Sequence, residues 1–134
     1  MAALLLDTDV FSFVFKNDSR AAAYASRIVG AQICLSFQTV AELRLWTLTR
    51  SWGDTRICAL NAALGRCIIL PPDEGTTRLW AEIVDGRRRL GRPITCGDAW
   101  VAASAVRYNL RLCTHNSADF HDIAGLQIIS EMAR

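Results

Sequence analysis

The runs that most constrain this chain are short and almost wholly apolar, and helical stretches separate them. Ala3-Leu4-Leu5-Leu6, residues 32–36 around Ile33-Cys34-Leu35, residues 67–70 with Ile68-Ile69-Leu70, residues 110–114 and residues 126–129 each have the length of a strand. Strands that lack polar alternation are buried on both faces, as in a parallel sheet covered by crossover helices. Between them the pattern predicts helices over residues 10–15, 19–29, 38–49, 55–66, 74–90 and 95–108. Ser19 is the expected N-cap of the second and Gly30 its stop, while Gly91 and Pro93 end the longest. Thr95, with Asp98 three residues on, has the spacing of a capping box in which Asp replaces Glu. The expectation is an α/β fold in three layers, helices covering both faces of a mostly parallel sheet of about five strands, with residues 1–134 as one domain. In such sheets ligands gather beyond the carboxyl ends of the strands.

Acids stand where that rule looks for a site. Asp7 directly follows the first strand, and Asp9 comes two residues later. Glu42 interrupts the apolar helical run Val40-Ala41-Glu42-Leu43-Arg44-Leu45-Trp46, and Asp98 opens a helix that is apolar nearly all round. Asn116 and Asp119 lie in Thr114-His115-Asn116-Ser117-Ala118-Asp119-Phe120, just past the fourth strand. Taken singly, each has a plain reading: a cap or turn for the Asp and Asn residues, an exposed helix face for Glu42. Thr8 can likewise cap, or hold a carboxylate or water in place. Together, four carboxylates at strand ends and in core-facing helices point to one pocket holding a hard cation, since buried acids are otherwise rare.

Composition narrows the classes. No apolar run is long enough to span a membrane. The N-terminus lacks the basic region and cleavage site of a signal peptide, so a cytoplasmic location is expected. The five cysteines are odd in number and form no Cys-x-x-Cys pair, which argues against a disulfide scaffold and a zinc site. Net charge is only +2, and Lys16 is the sole lysine among 15 basic residues. Arginine forks suit phosphate, although a GC-rich genome produces the same bias.

The ordered set Leu4-Leu5-Leu6-Asp7-Thr8-Asp9, Val40-Ala41-Glu42-Leu43, Asp98-Ala99-Trp100-Val101-Ala102-Ala103 and Leu112-Cys113-Thr114-His115-Asn116-Ser117-Ala118-Asp119-Phe120 resembles the PIN-domain nucleases over essentially the whole chain. Order, spacing and length are similar to the small VapC-type toxins of bacterial toxin–antitoxin pairs. The resemblance implies a PIN-like fold and a Mg2+- or Mn2+-dependent endoribonuclease leaving a 5′-phosphate and a 3′-hydroxyl. It carries Asp7, Glu42 and Asp98 over as the principal metal-site acids. Asp119 completes the charge, Asn116 offers a neutral carbonyl, and Thr114 matches a hydroxyl beside the metal. It also implies a homodimer and a VapB-type antitoxin, for which the apolar residues of helices 38–49 and 55–66, Trp46 and Leu60 among them, are the expected groove.

Other readings compete. Leu6-Asp7-Thr8-Asp9-Val10 also resembles the opening of haloacid-dehalogenase-like phosphatases, but their downstream lysine and late acid pair are missing. A PIN-like module that only binds a partner would usually have lost at least one acid. Arg87, Arg88, Arg89 and Arg92 suit RNA phosphates or a solvated helix end equally well. Of the four tryptophans, Trp52 in a polar turn is the best exposed candidate for base stacking. His115 reads as a turn residue near the site, and His121 as surface.

Overall fold

Successive side chains of a strand point to opposite faces of its sheet. In β1 (Ala3–Leu6), Leu4 and Leu6 enter one apolar cluster and Leu5 the other, all three inaccessible to solvent. The computed structural model, which describes residues 2–131, therefore has a core on each face of its sheet. After β1 come α1 (Thr8–Phe15), a 3₁₀ segment (Ser19–Tyr24), α2 (Ala25–Ile28), β2 (Gln32–Ser36), α3 (Phe37–Thr49) and α4 (Asp54–Gly65). Then follow β3 (Ile68–Leu70), α5 (Glu74–Arg89), α6 (Cys96–Arg107), β4 (Arg111–Cys113), a 3₁₀ turn (Ser117–Phe120) and β5 (Ile128–Ile129).

The five strands lie in the order β3-β2-β1-β4-β5, and every neighbouring pair is parallel. Leu5 sits in register with Cys34 on one side and Leu112 on the other. The chain thus builds outward from β1 to β3, then crosses back to place β4 against the free side of β1. That reversal is a topological switch point, and it opens a crevice beyond the carboxyl ends of β1 and β4. The Asp7 N–H donates to the Cys113 carbonyl at 3.0 Å, holding the two strand ends together at the crevice floor.

Helices α1, α3 and α4 supply Val10, Phe11, Leu43, Leu60 and Leu64 to one core; α5 and α6 supply Ile83, Ala99, Val101, Ala102, Ala103 and Ala105 to the other. The run of alanines lets α6 lie close to the sheet. There the buried Ser36 and Ser104 hydroxyls bond at 2.9 Å, tying the end of β2 to α6. Among the described residues no helix is long and apolar enough to cross a membrane.

Local expectations fail where tertiary contacts override short-range pattern. The segment expected as one helix over 19–29 is a 3₁₀ stretch followed by a single α-turn, capped by Asp18 rather than Ser19, whose carboxylate accepts the Arg20 N–H at 2.9 Å. Tyr24 is its one buried residue, so no apolar stripe enforces a regular helix. Strand β5 shrinks to two residues. Trp52 is not an exposed stacking surface: Ser51 turns the chain through a left-handed conformation (φ 49°), and the Trp52 N–H returns to the Thr47 carbonyl at 3.0 Å. The indole then closes the core, stacked on Phe15 with centroids 5.9 Å apart and Arg56 over its ring. Leu60 points inward and is fully buried, so it lines no groove. Replacing it by Ala is expected to cost about 2–5 kcal/mol of unfolding free energy by urea titration, whereas an exposed groove residue would cost well under about 1 kcal/mol.

Candidate active site

Asp7 stands one residue past β1 and caps α1, its Oδ1 accepting the Val10 N–H at 2.8 Å. The same position that satisfies the helix start buries the carboxyl, which is only 7% exposed. Burial pushes its pKa up to about 6, against a side-chain bond from Thr114 and the Val10 N–H, with Asp9 and Asp98 raising it further by charge repulsion. Asp98 lies in the first turn of α6, half-buried, and its N–H donates to the Thr95 cap at 3.1 Å. Its pKa is raised chiefly by burial, eased by a Thr95 side-chain bond, and raised again by the charges of Asp119, Glu42 and Asp9. The electrostatic links therefore join Asp7, Asp9, Glu42, Asp98 and Asp119 around the switch-point crevice.

Glu42 reaches this group from α3. Its Oε1 accepts the Gln38 amide at 2.9 Å, one helical turn earlier. Gly97 makes room for the pair: a Cβ there would lie 3.0 Å from both Glu42 Oε1 and Gln38 Nε2. Asn116 enters through its amide, which donates to Asp9 Oδ2 at 3.2 Å, while its own N–H is held by Thr114 Oγ1 at 3.1 Å. Thr8 serves differently. Its buried hydroxyl donates to Thr39 at 3.1 Å and locks α1 against α3, so it fixes the walls of the crevice.

Neither the thiol nor the imidazole nearest Asp7 is placed as a free nucleophile. The Cys113 thiol beneath Asp7 is pushed up to about 12 by burial and by the Asp7 charge, which keeps it protonated. The His115 ring is wedged edge-on between Phe13 and Tyr24, with Nδ1 2.6 Å from the Tyr24 hydroxyl. What remains is an all-oxygen donor set under mutual repulsion. Those are the ligands Mg2+ and Mn2+ prefer. Among the described residues no three His, Cys, Asp or Glu side chains stand close enough to grasp one ion as they lie, so ligation requires the carboxylates to turn toward one another. The donor chemistry fits such an ion.

Residues 4–126 match the family model described as the PIN domain. The chain belongs to the PIN-domain family. Ribonuclease VapC1 of Haemophilus influenzae is 28% identical over 125 residues, covering 92% of this chain and 93% of the relative. The structure of VapBC-1 from nontypeable Haemophilus influenzae is similar with a TM-score of 0.85, at 27% identity over 96% of this chain and 98% of that one. A member of the VapBC family of toxin–antitoxin systems from Mycobacterium tuberculosis, VapBC-5, gives a TM-score of 0.73 at 28% identity, covering 97% of this chain and 99% of that one.

In this PIN domain the arginines separate. Arg87 is buried, and its guanidinium donates to the carbonyls of Arg92 (2.7 Å), Asp119 (2.8 Å) and His121 (3.2 Å). It is turned inward rather than presented to solvent with the rest of the basic run. Instead it braces the turn that carries Asp119. Arg88 and Arg89 are exposed and both pair with Asp85, and Arg92 pairs with Asp122. Gln38 is the contributor that the sequence does not single out, although it stands four residues before Glu42. Asp9 is visible as the second acid of Asp7-Thr8-Asp9, and the basic run marks Arg87 for phosphate rather than for bracing, because its carbonyl partners are as many as 34 residues away.

The raised Asp7 pKa fixes a sign. Folding favours the neutral acid, so its contribution to stability is complete below the ordinary value of 3.8 and is lost as pH rises through about 6. Asn keeps the cap and removes the charge. In EDTA at pH 7.5, Asp7→Asn is expected to unfold several degrees above the wild type, equivalent to as much as about 3 kcal/mol, with the gap closing near pH 4. A variant less stable than the wild type at pH 7.5 would show that the carboxylate is not strained.

Proposed function

We propose that this chain is a metal-dependent endoribonuclease, the toxin of a VapBC-type pair, held inactive by a cognate VapB-type antitoxin in the cytoplasm. The observation that carries the reading is the electrostatic coupling of five carboxylates around the switch-point crevice, one of them buried and pushed up to about 6. The VapC ribonuclease relatives and the VapBC complexes among the structural neighbours support the substrate and the protein partner. A homodimer follows the same likeness.

Asp7 and Asp98 are the proposed principal ligands, with Glu42, Asp119 and the Asn116 carbonyl completing the set. When bound, Mg2+ or Mn2+ supplies Lewis acidity, polarising a phosphate oxygen and lowering the pKa of water. The protein's own groups prepare that event. The α1 N-terminus and Thr114 hold Asp7 in place, and the Gln38 amide fixes one Glu42 oxygen. Asp119 is borne on a turn that Arg87 anchors. The repulsion that the acids impose on one another is what a bound cation would offset.

The test is cleavage of a labelled total-RNA pool by antitoxin-free protein in Mg2+, in Mn2+ and in EDTA. Asp7→Asn and Asp98→Asn are expected to keep the fold by circular dichroism and to lose at least about 100-fold in rate, as EDTA does. Cutting that survives both substitutions would remove the acids from the mechanism. A folded wild-type protein that neither binds nor cuts RNA in either metal would leave a binding module with a nuclease's shape.

A further inference from the structure

A second concavity of about 300 Å³ adjoins the acid centre and has a different character. Asp9 and Asn116 form its seam with the acids, and it then runs out between α1 and α3 past Lys16, Trp46 and Arg50. The helical spacing explains this arrangement. On α3, Glu42, Trp46 and the C-capping Arg50 follow at intervals of four, so one stripe leads from the acid centre to the cleft, about 12 Å along the helix axis. On α1, Asp9, Phe13 and the C-capping Lys16 form the facing stripe.

The cations here divide into two kinds. Arg20 is spent, paired with Asp18 at 2.8 Å over the Phe13 ring. Lys16 and Arg50 have no ion pair among the described residues. Both lie over Trp46 instead, the Lys16 Nζ 5.6 Å and the Arg50 guanidinium carbon 4.2 Å from a ring centroid. The indole gathers two positive charges through its π-face, of which Lys16 also acts at longer range on Asp18, and keeps them beside a site that repels anions. A nuclease whose scissile phosphate must approach five carboxylates needs such a counterweight close by.

We propose that the Lys16–Trp46–Arg50 cleft is an RNA-backbone subsite, holding a phosphate that neighbours the scissile one while Trp46 positions the two cations. The inference rests on the ribonuclease reading and adds to it the strand's path, from the acid centre outward between α1 and α3. It also moves Trp46 from the expected antitoxin groove to the substrate cleft, and moves RNA contact away from the run at Arg87–Arg89.

Binding separates this inference from the reading beneath it. A fluorescein-labelled 12-nucleotide RNA of mixed sequence, titrated in EDTA and followed by anisotropy, reports affinity without cleavage. Lys16→Gln/Arg50→Gln is expected to weaken binding at least tenfold and to lower the slope of log affinity against log salt by about 0.7, the single-strand value for one phosphate no longer neutralised. Trp46→Leu, which keeps the charges but removes their platform, is expected to raise Kd about fivefold. Arg66→Gln/Arg78→Gln removes equal charge from residues outside the cleft and is expected to stay within twofold of the wild type. Equal losses in the two double variants would reduce the effect to net charge and overturn the subsite. So would unchanged affinity at the cleft together with loss in Arg88→Gln/Arg89→Gln. A ten-residue glutamate peptide is the second probe: its loss in the cleft variant with RNA affinity intact would assign the cleft to an acidic protein segment. Wild-type RNA cleavage with unaltered cleft variants would sink the subsite alone, whereas a wild type that neither binds nor cuts RNA would sink both.

Discussion

The Asp7 carboxyl governs the rest of the structure because it answers two demands at once. It ends the central strand and begins the first helix, so its oxygen must satisfy the N–H of Val10 while the surrounding core takes water away. Burial and the neighbouring acids then oppose its ionisation. A fold that only needed a cap at this place would be served better by Ser, Thr or Asn, which carry no charge into the interior. Keeping an acid there, within the electrostatic reach of Asp9 and Asp98, leaves a site under tension.

The sheet order supplies the place for that tension. Because β4 returns to the open side of β1, the carboxyl ends of these strands part company with their connecting helices, and α3 and α6 reach the gap from opposite faces. Small groups permit the approach: Gly97 lets Gln38 and Glu42 lie against the start of α6, and Ser36 meets Ser104 below. Positive charge is kept outside this ring. Arg87 faces inward to brace a loop, and Lys16 and Arg50 rest on Trp46 at the edge of the crevice.

The strands and the acids were legible before the structure because their signals are local. Three consecutive leucines stopping at Asp7 describe a doubly buried strand and its end in four residues, and the capping spacing of Thr95 and Asp98 places the second acid without reference to the fold. The sequence could not reveal the fate of groups whose partners are remote. Trp52 reads as exposed because its neighbours are polar, yet a left-handed Ser51 swings it onto Phe15. Leu60 reads as an available groove residue because α4 has apolar positions on several faces, and only packing against the sheet selects the buried one. Arg87 reads as one of three equivalent basic residues, and it differs from Arg88 and Arg89 only because loops distant in sequence offer it carbonyls.

The central claim is that these carboxylates act as one cation site, and Mn2+ binding followed by electron paramagnetic resonance tests it most directly. Metal-free protein at pH 7.5 is expected to take up Mn2+ saturably, and Asp7→Asn and Asp98→Asn, each folded, are expected to weaken that uptake at least tenfold. Uptake of equal affinity in the wild type and both variants would contradict it and leave the acids as caps that happen to lie together.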